Sequence, residues 1–235
     1  MCVSTCGDGV LDAGETCDDG NTTAGDGCDA TCHVQAGYAC DNNDPSVCHA
    51  IVCGDGILDG TEACDAGTAG NTRCSTTCTL KFDIAEAEPN DTKAAAQVIT
   101  AANHIIKGNL SIGDRDIYKF TLTAAATVEI ETYNAYSTAY APNSGSVSTL
   151  GLQCVSSADT LIYLYTSAQE PTQDTTFLAK DDDDGDASCS YLGPLDSGGT
   201  ATQGMLAAGT YYFTVHEYQL DAAITPYLVD FKVTP

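Results

Sequence analysis

The sequence predicts a mostly β chain, with small disulfide-rich repeat modules followed by an antiparallel, jelly-roll-like β-sandwich. Three observations carry this expectation. Eleven of the thirteen cysteines precede Ile84, in a region with few side chains large enough to build a core. From residue 104 onward, apolar and polar residues alternate with period two, the signature of half-buried strands. The only helical window, Lys93–Ile99, is short. The expected organisation is a first cysteine-rich repeat over 1–52, a degenerate second repeat over 53–82 and a sandwich over 83–235.

Charge narrows the function. The chain carries 33 acidic against 8 basic residues, a formal net charge of −25. That balance argues against nucleic acid and against an anionic membrane surface. No apolar run reaches the roughly 20 residues of a membrane span. Met1–Cys6 has neither the basic nor the apolar part of a signal peptide. Clustered, regularly spaced cysteines nevertheless imply an oxidising compartment, and the usual Cys-x2-Cys spacing of zinc sites is absent. The expectation is a secreted or cell-surface, bacterial-looking protein whose leader has been removed. Residues 1–72 contain no Lys or Arg, so their carboxylates either stay solvated or hold divalent cations.

In the first half a 47-residue repeat is visible. Cys6-Gly7-Asp8-Gly9-Val10-Leu11-Asp12 matches Cys53-Gly54-Asp55-Gly56-Ile57-Leu58-Asp59, and Glu15-Thr16-Cys17-Asp18 matches Glu62-Ala63-Cys64-Asp65. Cys28–Cys32 matches Cys74–Cys78. The first copy carries an extension containing Cys40 and Cys48 that the second lacks, so these two cysteines are expected to pair. Each copy then keeps four cysteines, with three connectivities open. Cys2 reads as the last cysteine of a preceding copy, or as a free or intermolecular thiol. With so few large hydrophobes, disulfides must supply the stability, each about 2–4 kcal/mol.

The run Cys6-Gly7-Asp8-Gly9, then Gly14 to Asn21, then Gly25 to Cys32, resembles the cysteine-rich repeat of many myxobacterial surface proteins. In the second copy Asp19-Gly20-Asn21 becomes Ala66-Gly67-Thr68, and Arg73 enters. If acids of these loops hold calcium, the first copy, with Asp8, Asp18, Asp19, Asn21 and Asp26, is the better candidate. Capping of turns by the same side chains is the alternative.

Between the halves lies Ile84-Ala85-Glu86-Ala87-Glu88-Pro89-Asn90-Asp91-Thr92. In an extended segment Glu86, Glu88 and Asn90 fall on one side, and Pro89 stiffens it. Oxygen ligands in that pattern suit calcium; a solvated acidic linker is the alternative. Expected strands follow at His104–Leu110, Asp116–Leu122, Ala126–Tyr133, Thr160–Tyr165, Thr176–Ala179, Thr210–Val215 and Pro226–Val233. Cys154 and Cys189 fall in the two long gaps, 134–159 and 181–203, and a disulfide between them is expected to tie these loops together.

The ordered landmarks Glu88-Pro89-Asn90-Asp91-Thr92, Gly108-Asn109-Leu110, Gly113-Asp114-Arg115-Asp116-Ile117-Tyr118, Ala158 to Tyr165, Asp181-Asp182-Asp183 and Ala208 to Val215 resemble the bacterial pre-peptidase C-terminal domain over nearly all of 83–235. That family is a β-sandwich appended to secreted peptidases and other surface proteins, and it is similar to the collagen-binding domains of collagenases. The resemblance implies calcium held by linker residues Glu86, Glu88, Asn90 and Asp91 and by loop residues Ser111, Asp114 and Asp116. It does not imply collagen as ligand.

A second acidic cluster, Lys180-Asp181-Asp182-Asp183-Asp184-Gly185-Asp186, would repel itself unless solvated or holding a cation. With Asp159 it is a second candidate calcium site, and it does not fit an EF-hand loop. Tyr133, Tyr136 and Tyr140 form a weak candidate surface for contact or carbohydrate stacking. No His-Glu-x-x-His, Gly-x-Ser-x-Gly or phosphate-cradling motif is present, and the four histidines share no ligand spacing. The expectation is therefore a non-catalytic, calcium-binding structural or adhesive protein. Its partners would be an extracellular polymer, a glycan, another surface protein or its own copies. The alternative is an accessory region of a larger secreted peptidase or other hydrolase.

Overall fold

The computed structural model describes residues 5–58, 62–137, 152–154, 158–183, 188–193 and 205–235. Among them every regular element is a strand. Among the described residues no helix is long and apolar enough to cross a membrane.

The cysteine-rich half is held by turns and bridges. Cys6 pairs with Cys32, Cys17 with Cys28, Cys53 with Cys78 and Cys64 with Cys74, so both copies share one connectivity. Cys40 pairs with Cys48 across the two-stranded ribbon of β1 (Tyr38–Cys40) and β2 (Cys48–Ala50). One buried acid organises each copy. Asp18 accepts the backbone N–H groups of Gly7, Gly9 and Gly20 at 2.8–2.9 Å. Asp65 accepts those of Gly54, Gly56 and Gly67 at 2.7–3.1 Å. All six glycines have positive φ, which lets the turns aim their amides at the carboxylate.

The second half is a sandwich of two five-stranded sheets. One contains β4 (Ile84–Ala85), β6 (His104–Leu110), β8 (Thr127–Tyr133), β13 (Tyr191–Leu192) and β15 (Ile224–Thr234), in the order β13-β8-β15-β6-β4. The other contains β5 (Gln97–Val98), β7 (Arg115–Leu122), β11 (Thr160–Thr166), β12 (Ala179–Asp181) and β14 (Gly209–Glu217), in the order β12-β11-β14-β7-β5. Pairing is antiparallel except at the two edges, where β4 runs parallel to β6 and β5 parallel to β7. Alternate residues of each long strand fill the space between: Ile106 and Leu110, Tyr118 and Phe120, Tyr211 and Phe213, Val229 and Phe231. Phe120 meets Phe231 edge-on at 5.0 Å and so joins the sheets. Cys154 is bonded to Cys189.

Two expected elements differ. Lys93–Ile99 is a turn leading into β5 rather than a helix. The Gln97 side chain bonds the linker backbone at Ala85 and Ala87, and β5 pairs with β7, which outweighs a short helical propensity. The strand expected at Thr176–Ala179 begins only at Ala179, because Phe177 turns to pack edge-on against Tyr163.

The second repeat docks on the sandwich. β3 (Cys64–Asp65) pairs in parallel with β9 (Ala135–Ser137), which also pairs with β10 (Leu152–Gln153). Cys64 and Cys74 pack in one apolar cluster with Tyr133, Tyr136, Leu152 and Leu228. In the first repeat the matching edge is taken internally: Ser46 donates its N–H to the Asp18 carbonyl, and the Asp18 N–H is bonded by the Ser46 hydroxyl. The repeat that lacks the extension thus leaves this edge for a strand of the sandwich.

A candidate cation site at the linker

The linker is zipped along β6. Asp83 donates its N–H to the Ile105 carbonyl, and Glu86 to that of Lys107. The Glu86 carboxylate then receives the Asn109 N–H at 2.6 Å. Beyond Pro89, the Asn90 carbonyl receives the N–H of Ile117, which anchors the linker to β7 beside Asp116. Between β6 and β7 the turn closes with an Asp114 N–H bond to the Ser111 carbonyl, while the Asp114 carboxylate receives the N–H groups of Ser111 and Arg115 at 2.9 Å.

These connections bring five carboxylates together in two overlapping sets. Oxygens of Glu86, Glu88 and Asp116 lie within 4.8 Å of one another, as do those of Glu88, Asp91 and Asp114. Glu88 belongs to both. That span matches two oxygens on opposite sides of an ion at about 2.4 Å. Ser111 lines the same open cleft as Glu88, Asp91 and Asp114. Asp116 and Asn90 are fully buried. Asp116 Oδ1 and both polar atoms of the Asn90 amide have no hydrogen-bond partner among the described residues. The nearby cation, Arg115, is taken by Asp174 at 2.5 and 2.8 Å.

Electrostatics show the cost of this arrangement. Burial pushes the Asp116 carboxyl up to about 8; the Tyr227 hydroxyl opposes this, and Glu86, Asp114 and Glu88 add to it. Burial likewise pushes Glu86 up to about 7, against the Asn109 N–H and with help from Glu88 and Asp114. Asp91 is raised by burial and by its contacts with Asp114 and Glu88. An all-oxygen set with surplus negative charge suits a hard divalent cation, and the number and irregular placement of the donors suit calcium better than octahedral magnesium.

Sequence reasoning missed what supports this site. Tyr227 donates to Asp116 Oδ2 and is bonded in turn to Tyr118 at 2.7 Å. The Tyr227 ring crosses β6 at Gly108, where a Cβ would stand 2.4 Å from ring atoms. A glycine inside a strand marks such a close approach, and that was the available signal.

The other candidate residues are placed as follows. Asp159, Asp182 and Asp183 bring oxygens within 4.8 Å of one another. Asp181 faces elsewhere and accepts the Tyr191 N–H at 2.7 Å. Asp184 and Asp186 lie outside the described residues. Asp8 and Asp19 cap turns at Val10 and Asn21, Asn21 reaches Asp26 at 3.4 Å, and Asp18 holds its three glycine amides. The expected tyrosine surface needs correction. Tyr133 and Tyr136 are buried under the second repeat, and Asn71 donates to the Tyr136 hydroxyl at 2.6 Å. Tyr140 lies outside the described residues.

Comparisons with known proteins touch both halves. A family model matches the start of the chain. It is described as "Domain of unknown function (DUF4215)" and spans residues 1–33. No curated protein matches significantly. Among solved structures, the chain is similar to the pre-peptidase C-terminal domain of a collagenase from Bacillus anthracis, at 17% identity and a TM-score of 0.36, covering 63% of this chain and 100% of that one. It is also similar to PliG of Aeromonas hydrophila, a periplasmic inhibitor of g-type lysozyme, at 14% identity and a TM-score of 0.35, covering 60% of this chain and 100% of that one.

Proposed function

We propose that this chain is an extracellular, non-catalytic structural or adhesive protein whose linker binds calcium. The observation that carries the reading is that Asp116, one of the five clustered carboxylates, and Asn90 are both buried with unpartnered polar atoms, while the neighbouring Arg115 is taken by Asp174. Buried polar groups left unpaired cost about 1–3 kcal/mol each, and more when charged, so a cation on the unpartnered oxygens of Asp116 and Asn90 answers a definite deficit. Calcium held by Glu86, Glu88 and Asp91 on one side and by Asp114 and Asp116 on the other would tie the linker to the β6–β7 turn. It would thereby fix how the disulfide modules project from the sandwich. A glycan, an extracellular polymer or another surface protein would be the partner of such a stiffened protein.

The test is thermal unfolding of the oxidised protein in millimolar calcium, in magnesium and in excess EDTA. Calcium at a hundred times its dissociation constant stabilises by about 2.7 kcal/mol, so a rise in Tm of several degrees is expected with calcium and a smaller one with magnesium. Asp116→Asn should abolish the rise. An unchanged Tm in all three conditions would overturn the proposal.

A further inference from the structure

Where the second repeat meets the sandwich there is a cavity of about 540 Å³, within the size range of small-molecule sites and at a boundary where such sites concentrate. Arg73, Lys81 and Lys232 line it, three of only eight basic residues in a chain of net charge −25. Two carboxylates also line it, Asp83 and Asp230, and both are already engaged. Asp230 accepts from Arg73 Nε at 3.0 Å and lies 3.4 Å from the Lys232 ammonium. Asp83 lies between the ring of His104 and the N–H of Ile105, each at 2.6 Å. Lys81 differs from the other two cations. Its ammonium donates to the neutral carbonyl of Asn71 at 2.6 Å and forms no ion pair among the described residues.

The wall is not wholly ionic. Phe82 is 44% exposed and contributes its ring, with the Lys107 ammonium 5.2 Å from the ring centre. Thr72 and Asn103 supply polar groups around it. A surplus positive charge, an exposed aromatic ring and hydroxyl and amide groups form the combination that receives a carboxylate carried on a hydroxylated ring. The chain as a whole, at a net charge of −25, disfavours polyanions, which points to a ligand bearing one carboxylate.

We propose that this interdomain cavity binds a terminal acidic sugar, its carboxylate paired with Lys81 and Lys232 and its ring against Phe82. The site would have two walls, one from the second repeat and one from the sandwich, so the docked arrangement is what creates it. The proposal stands on the cavity alone and does not depend on the calcium reading.

The experiment is a titration of the full oxidised chain with sodium D-glucuronate, followed by calorimetry and by amide chemical shifts. D-glucose, sodium acetate and N-acetyl-aspartate amide serve as the neutral, carboxylate-only and acidic-peptide comparisons. Saturable binding of glucuronate, tighter than all three, is expected. Loss of one charge-assisted hydrogen bond in Lys81→Gln should weaken it about tenfold. Lys81→Arg should retain it, and Phe82→Ala should weaken it with the Tm unchanged. Should Lys81→Gln lower the Tm, Lys232→Gln provides the same reading from the sandwich wall. No glucuronate binding, equal binding of glucose or acetate, tighter binding of the aspartate amide, or indifference to both lysine substitutions would each overturn the proposal.

Discussion

Among single residues, Asp116 carries the sharpest conflict between burial and charge. It is a carboxyl group without solvent, with one oxygen on Tyr227 and the other unpartnered, inside a ring of like charges. Its raised pKa has a definite consequence for stability. A carboxyl that holds its proton more tightly when folded favours the fold at low pH, and that contribution is lost as pH rises through the folded value. In EDTA the Tm should therefore fall between about pH 4, the ordinary carboxylate range, and pH 8, where Glu86 and Asp116 ionise at about 7 and about 8. In calcium the fall should shrink or vanish, because the ion takes the place of the protons, and calcium affinity should rise over the same window. Asp116→Asn should flatten the EDTA profile. Melting curves at five pH values decide this, and superimposable profiles with and without calcium would count against the site.

Elements explain why the second repeat is not a loose appendage. Its short strand β3 adds to β9, its Cys64–Cys74 disulfide packs with Tyr133 and Leu228, and Arg73 reaches Asp230 on the outer face of β15. Asp230 is buried, so removal of its partner leaves a charge poorly compensated. Breaking such a pair costs about 3–5 kcal/mol, and the low end applies here because the Lys232 ammonium remains 3.4 Å away. Arg73→Ala should therefore destabilise the protein by roughly 3 kcal/mol in denaturant unfolding, and Arg73→Ala/Asp230→Asn should recover part of that loss. A single substitution costing less than about 0.5 kcal/mol, as at an exposed pair, would show that the docking does not depend on it.

At the scale of the whole molecule, the linker is the joint between the disulfide-bonded repeats and the sandwich. It is tied at one end by the docked repeat and at the other by Asn90 on β7. Calcium would add the cross-links between these ends. Trypsin should cut after Lys81 several times faster in EDTA than in calcium, while cleavage at Lys119, in the middle of β7 where it pairs with Tyr212 of β14, should stay slow in both. The fragments are separable by mass. Equal rates at Lys81 in the two conditions would remove the joint from the calcium-dependent part of the structure.

The β class and most strand positions are legible in the sequence alone. Alternation is a local property, and runs such as Asp116–Leu122 and Thr210–Val215 expose it directly. The sequence also displays the linker acids, which are neighbours along the chain. Tertiary structure alone decided the rest. Whether Asp114 and Asp116 meet Glu88 depends on β4 lying parallel to β6, and no local pattern specifies that pairing. The burial of Asn90, the use of Asp181 by Tyr191 and the disappearance of Tyr133 and Tyr136 beneath the second repeat are likewise set by distant partners. Spacing reports which side chains share a face. Only packing reports what covers that face, because the covering residues lie tens of positions away in the chain.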